Sequence, residues 1–158
     1  MHLSLQTDYG LRVLMLLAST DRQMSVDEIA RSYGISRNHL AKVAQRLQSS
    51  GYVETSRGRG GGQRLAYSAR EVNVGTIVRD LENLEAFVEC MSPQRNMCPA
   101  IGVCGLQNAL GLALGDFLKR LDSYTIADLV PDPAWISQQL GANIVTPKLF
   151  NSGLAVPE

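Results

Sequence analysis

Apolar residues recur at intervals of three and four along the first third of the chain. Leu11, Leu14, Met15 and Ala18 make one stripe, and Thr7 and Asp8 are placed to begin the helix that carries it. Ser25 and Glu28 form a capping box that opens a second helix over 26–33, which Gly34 closes in a left-handed conformation. Ser36 then caps a third helix over 37–48, with Leu40, Val43, Ala44 and Leu47 as its buried stripe. Two helices joined by so short a turn containing glycine predict a helix-turn-helix.

Beyond residue 50 the helical spacing stops. Tyr52-Val53-Glu54-Thr55 and Leu65-Ala66-Tyr67 predict two short strands around a tip, 56–64, that holds four glycines together with Arg57, Arg59 and Arg64. Such a tip reads as a wing: glycine frees the backbone to approach a sugar-phosphate surface, and arginine supplies cations for phosphates or a narrow minor groove. A nucleotide-binding loop fits poorly, because no Gly-Lys-Ser/Thr and no strand-loop-helix setting is present. A merely flexible hairpin is the plain alternative.

Val74, Ile77, Val78, Leu81 and Leu84 predict a further helix, and Leu106, Leu110, Leu114, Phe117 and Leu121 a long one. That last stripe is more than a small winged domain can cover, so a helix from a second subunit is its natural cover. Gly111 and Gly115 share one side and permit close helix approach. From Pro131 onward Pro133, Gly141, Pro147, Gly153 and Pro157 interrupt the pattern and predict a loosely held tail. The expected architecture is mainly α. A winged helix-turn-helix DNA-binding domain occupies 1–70, a connecting helix and cysteine loop 71–105, a dimerisation helix 106–130 and the tail 131–158.

A chain of 158 residues, 45% hydrophobic, can bury a core. The apolar run at 13–18 is far too short to span a bilayer, and no signal sequence precedes it, so the reading is a cytoplasmic protein whose thiols stay reduced. The net charge of zero hides a division. Residues 1–70 carry ten Lys/Arg against five acids, and residues 71–158 carry the reverse, five against ten. A basic half joined to an acidic half suits a nucleic-acid-binding domain with a separate regulatory part. On the third helix Arg37, Asn38, Lys42 and Gln45 face away from the buried stripe, with His39 beside them. Arginine can pair with guanine, Asn and Gln with adenine, and Lys with phosphate, although a charged face is otherwise simply solvated.

Cys90, Cys98 and Cys104 are the only cysteines, and they fall in one 15-residue stretch beside Pro93, Pro99 and Gly102. Three thiols so placed suggest a loop around a metal or an iron-sulfur cluster rather than core packing, and an odd number cannot all pair as disulfides. A cluster would need one more ligand. Structural zinc is disfavoured, since it draws on closely spaced cysteine pairs and the gaps here are seven and five residues, with His2 and His39 the only histidines. A cysteine nucleophile would need a base that neither histidine is placed to supply, so the chain does not read as an enzyme.

Taken together, Leu-Gln-Thr-Asp-Tyr-Gly-Leu-Arg (5–12), Gly-Ile-Ser-Arg-Asn-His-Leu (34–40), the Gly/Arg wing, the three-cysteine loop and Leu-Asp-Ser-Tyr-Thr-Ile-Ala-Asp-Leu-Val (121–130) carry a resemblance. The chain resembles, over about 1–130, the nitric-oxide-sensing iron-sulfur repressors of the winged-helix family that also contains IscR. The resemblance implies a homodimer that binds a palindromic operator in double-stranded DNA, with one cluster per subunit. That cluster is 4Fe-4S, with 2Fe-2S as the alternative, and nitric oxide destroys or modifies it to release the DNA. It further implies Cys90, Cys98 and Cys104 as thiolate ligands, with Asp8 reaching across from the partner subunit as the fourth. IscR-like members place a histidine three residues after the last cysteine, where this chain has Gln107, which favours the nitric-oxide sensor. The seven-residue first gap, where five or fewer is usual, is a second departure and bears on the loop's conformation. An iron held by a harder oxygen ligand is less protected than its thiolate-bound neighbours, which suits attack by a small gas. A regulator that answers to oxidation or to cluster supply is the runner-up.

Overall fold

The computed structural model describes residues 2–20, 22–58, 60–92, 97–100 and 102–142. Among them run helices α1 (Leu5–Thr20), α2 (Val26–Tyr33) and α3 (Arg37–Ser49), strands β1 (Val53–Thr55) and β2 (Gln63–Leu65), and helix α4 (Val74–Leu81). Two 3-10 turns (Leu84–Ala86 and Glu89–Met91) follow, then α5 (Gly105–Leu121) and α6 (Pro133–Ala142). No helix among the described residues is long and apolar enough to cross a membrane.

The caps expected for α2 and α3 are in place. Ser25 accepts from the Glu28 amide and Ser36 from the His39 amide, at 3.2 and 3.3 Å, and Gly34 ends α2 with φ 64°. Helix α1 starts earlier than Thr7 and Asp8 suggest, because Ser4 is its cap: the Thr7 amide donates to Ser4 Oγ at 3.3 Å and the Asp8 amide to Ser4 O at 3.0 Å. A carboxylate completes this end. Glu82 accepts from the Ser4 amide at 3.1 and 3.2 Å, from Ser4 Oγ at 3.0 Å and from the buried Thr7 hydroxyl. An anion is favoured at a helix N-terminus. The same contact stops α4 at Leu81, since Glu82 adopts extended backbone, and Leu84 opens a 3-10 turn instead of continuing the helix.

The core gathers around α1, whose Val13, Leu14, Leu16 and Leu17 pack with Ile29, Leu40, Leu47, Ile77 and Ile126. Ile126 belongs to the stretch after α5, which returns to this core: Val74 N donates to Tyr124 O at 3.0 Å and Ile126 N to Val72 O at 2.9 Å. The end of α5 is thereby fixed to α4. Arg79 grips Asp122 with both terminal nitrogens, at 2.5 and 2.7 Å, and holds that carboxyl below its ordinary range. Asn73, the cap of α4, donates to Asp122 O at 2.7 Å.

The strands are antiparallel, with Val53 opposite Leu65, Glu54 opposite Arg64 and Thr55 opposite Gln63. β2 begins at Gln63, two residues ahead of its expected start, because Gln63 exchanges both backbone hydrogen bonds with Met24, at 2.8 and 3.0 Å. The wing is thus fastened to the segment before α2. Gly62 lies there so close that a Cβ would stand 2.6 Å from the Met24 carbonyl, and one at Gly61 would stand 2.5 Å from Ser56 O. Two of the four tip glycines are therefore required by the fold itself rather than by an approach to a ligand.

At 133–142, where the sequence reads as loose tail, the chain forms α6 against α1 and α2, with Leu140 packed on the core. Pro133 is the physical reason. It stands at the first helical position, where a missing N–H costs nothing, and Asp132 caps the turn by accepting from the Trp135 amide at 2.9 Å. The rest of the expected tail, 143–158, lies outside the described residues.

Candidate nucleic-acid interface and cysteine loop

Helix α3 separates two faces. Leu40, Val43, Ala44 and Leu47 are buried, while Arg37, Asn38, His39, Lys42 and Gln45 are all exposed. The turn into it is set by Ile35 N donating to Ala30 O at 3.0 Å. From behind, α3 and the strand after it are anchored to α4: Arg46 donates to Asp80 O at 2.9 Å, and the Tyr52 hydroxyl donates to Asp80 Oδ2 at 2.5 Å. Burial, then the Asp80 carboxylate, pushes the Tyr52 phenol well above its ordinary value, so it stays a donor at any physiological pH. Arg37 is engaged on its own side by Asp27 of α2, with Nε 2.5 Å from Oδ1.

The three wing arginines are not equivalent. Arg57 is exposed and has no hydrogen-bond or ion-pair partner among the described residues. Arg64 turns across the hairpin, Nε and Nη2 both donating to Glu54 Oε2 at 3.1 and 2.7 Å, so its charge is already partly answered. Arg59 lies outside the described residues.

The cysteines occupy three successive pieces of chain. Cys90 lies in the 3-10 turn Glu89–Met91, Cys98 in the piece 97–100, and Cys104 at the N-cap of α5; all three are half-buried. Pro93 lies outside the described residues. Gln107 spans the loop by donating from Nε2 to Cys90 O at 3.0 Å, which ties the first cysteine to the helix that follows the last. This occupies its amide as a brace. Beside it an open depression of about 660 Å³ is lined by Met91, Cys104, Gln107, Asn108 and Gly111 among others. Cys104 makes no side-chain cap bond, so the first amides of α5 have no partner from that side chain, and the residue stands at the positive end of the helix dipole.

Three cysteines in one loop, the last of them at a helix N-terminus, suit an iron-sulfur cluster in donor chemistry. No three His, Cys, Asp or Glu side chains among the described residues converge closely enough to hold a metal ion. Asp8 is half-buried on α1 and forms an ion pair with Arg12 at 2.9 Å. Three contributors escape sequence reading. Asp27 and Glu54 carry no local motif that points to an arginine partner, and Glu82 meets its partners across 75 and 78 residues. Ser4 had a signal: a serine three residues ahead of Thr7, at the spacing of an N-cap.

A helix-turn-helix with a wing fastened to its base and a polar, basic outer face defines a winged-helix DNA-binding regulator of transcription. Residues 3–132 match the family model for Rrf2, described as an iron-dependent transcriptional regulator, and the chain belongs to that family. It is 46% identical over 132 residues to the HTH-type transcriptional regulator NsrR of Bacillus subtilis (strain 168), covering 82% of this chain and 90% of that relative. NsrR of Geobacillus kaustophilus (strain HTA426) is 43% identical over 136 residues, covering 85% and 92%. Among solved structures, CymR (YrzC), the global cysteine regulator of B. subtilis, matches with a TM-score of 0.66 at 26% identity, over 83% of this chain and 97% of that one. IscR of T. potens shares the fold, with a TM-score of 0.67 at 23% identity over 93% of this chain and 94% of that one. The family read from residues 5–12, 34–40, the wing and the cysteines is therefore the right one.

Proposed function

We propose that this chain is a cytoplasmic transcriptional repressor that binds a palindromic operator as a homodimer and is released when nitric oxide reacts with its iron-sulfur cluster. The observation that carries the reading is a DNA-binding face and three half-buried sulfur donors in one chain, followed by a long helix that the chain covers only in part. No residue of α5 is buried, and Leu106 and Leu112 are 66% and 64% exposed. A second copy covers that helix.

Cys90, Cys98 and Cys104 of one subunit and Asp8 of the other are the ligands of a 4Fe-4S cluster, with 2Fe-2S as the alternative. When bound, the cluster supplies an iron with one exchangeable oxygen ligand. The chain's own residues do the rest. Gln107 braces the loop on α5, Glu82 fastens the N-terminus of α1 to the segment entering the loop, and Asp80 fastens α3 to α4. A shift in the loop therefore moves α1 and α3 together, and operator affinity depends on the spacing of two recognition helices. Arg37, Asn38, His39, Lys42 and Gln45 meet the major groove; Arg57, Arg59 and Arg64 meet the backbone or minor groove.

The test is anaerobic purification with an absorption spectrum and an iron and sulfide assay, followed by a gel shift on an operator selected from random-sequence DNA. The expected result is a coloured dimer that binds the selected DNA and lets go on titration with nitric oxide. A colourless protein whose DNA binding ignores nitric oxide overturns the reading. Release by oxidation or iron starvation, but not by nitric oxide, assigns the runner-up.

A further inference from the structure

Arg37 is the first residue of α3, where side chains of a recognition helix reach furthest toward base edges, and it is 68% exposed. A lone arginine there would sweep many rotamers. Here Asp27, in the first turn of α2 and itself 48% exposed, meets the guanidinium at Nε, 2.5 Å from Oδ1. Neither terminal nitrogen donates a hydrogen bond to a described residue. The guanidinium is a planar fork, and the two hydrogens needed for O6 and N7 of guanine can both come from its outer end. The contact is an ion pair and not an aligned hydrogen bond, so the acid on the Nε side draws the side chain to one position by charge and leaves that end open.

Two neighbours mark this pairing as particular. Glu28, the other acid in the first turn of α2, is taken by Arg22 at 2.5 Å, so Asp27 is the acid that remains for Arg37. Arg64 shows the contrasting arrangement: Nε and Nη2 both go to one Glu54 oxygen, which uses up part of the fork. The Asp27 charge also has a second effect. A carboxylate at a surface that meets phosphates repels all DNA alike, and it is offset only where Arg37 finds its guanine. Stability is not the reason for the pair, since an ion pair this exposed contributes little to folding.

We infer that Asp27 is a specificity-determining positioning residue, which aims Arg37 at one guanine of the operator and disfavours binding elsewhere. The inference rests on the reading of α3 as the groove-entering helix. The test uses the full-length, cluster-loaded dimer and an operator selected from random-sequence DNA. Affinities of wild type, Asp27→Asn, Arg37→Ala and the double variant are measured for that operator, for single changes at each of its guanines, and for unrelated DNA. Wild type should prefer guanine at one position by roughly 10- to 100-fold, and Arg37→Ala should erase that preference. Asp27→Asn should reduce the preference at that position by about threefold or more and tighten binding to unrelated DNA severalfold, the specificity change vanishing in the Arg37→Ala background. A uniform gain on every DNA, with the guanine preference unchanged, reduces Asp27 to a bystander charge and overturns the inference alone. A guanine preference that survives Arg37→Ala does the same. A wild type with no sequence preference at all overturns the proposed function, and this inference falls with it.

Discussion

Helices α1 and α5 are nearly equal in length, 16 and 17 residues, and similarly rich in leucine, yet their fates differ. The first buries Thr7, Gly10, Val13, Leu14, Leu16 and Leu17, and its N-terminus is closed by Ser4 and Glu82. The second has no fully buried residue and only Leu121 packed on the core, begins at a cysteine that forms no side-chain cap, and directly follows the exposed Val103. An apolar stripe states that a helix needs cover; it does not state where the cover comes from. Around α1 the chain provides it. Around α5 the chain provides it only in part, and under the proposed function a second copy supplies the rest and completes the cysteine loop at its head.

Ligand removal should break this contrast most sharply. Any one of Cys90→Ala, Cys98→Ala or Cys104→Ala is expected to abolish stable cluster binding, read as loss of visible absorption and of bound iron. Asp8→Ala should keep a cluster of altered spectrum and changed nitric-oxide kinetics, because water or a thiol can fill an exchangeable position. A wild-type spectrum and wild-type kinetics for Asp8→Ala would place the oxygen ligand elsewhere. Next come paired leucine substitutions. Leu114→Glu should raise the dimer dissociation constant at least about 100-fold by sedimentation, since both copies of the stripe lose cover at roughly 2 kcal/mol each. Leu14→Ala should instead cost about 3 kcal/mol of folding stability by denaturant titration. If Leu114→Glu stays dimeric at low micromolar concentration, α5 is not the interface.

The wing carries the same distinction on a smaller scale. Arg57, with no described partner, should lose more operator affinity on change to alanine than Arg64, which Glu54 already engages. The salt slope should fall by about one for Arg57→Ala. Equal losses for the two would mean that Glu54 releases Arg64 to the DNA. The smallest effect lies in the stretch that returns from α5 to the core around α1, at Asp128, whose carboxyl is held below its ordinary 3.8 by the Thr125 amide and then the Thr125 hydroxyl, both at 2.7 Å. Its folded pKa is depressed. The stabilisation is therefore complete above the ordinary value and is lost as pH falls through the lowered one. Asp128→Asn should flatten that part of the acid limb in a plot of denaturation midpoint against pH, and an unchanged limb would show that the turn draws nothing from the charge.

What could be read in the sequence follows the range of each interaction. Ser25, Gly34 and Ser36 act within a few residues of themselves, and the helices they bound lie where their spacing puts them. Glu82 acts across most of the fold, so nothing nearby foretells that α4 stops there or that α1 gains a carboxylate. Pro133 reads in the sequence as a breaker, but the capping Asp132 in front of it makes it a first helical residue. The cysteines were legible as donors because thiols are few and clustered. Their assembly was not, because spacing along the chain does not say which other group completes the site, and the proposed fourth ligand, Asp8, lies 82 residues from the first of them. The engagement of Arg64 by Glu54 was hidden by register, since it needs the two residues to be opposite on paired strands.

The closeness of Gly62 to Met24 has a consequence for anyone who would retarget this regulator. Gly58 and Gly60, at φ 101° and 82°, have open space where a Cβ would sit, so the hairpin tip can be lengthened, with a closure entropy that grows only slowly with added residues. One methyl group at 62 would meet the Met24 backbone at 2.6 Å and prise the hairpin from its mooring. A library aimed at new operators has its freedom in added tip residues and must leave Gly61 and Gly62 untouched.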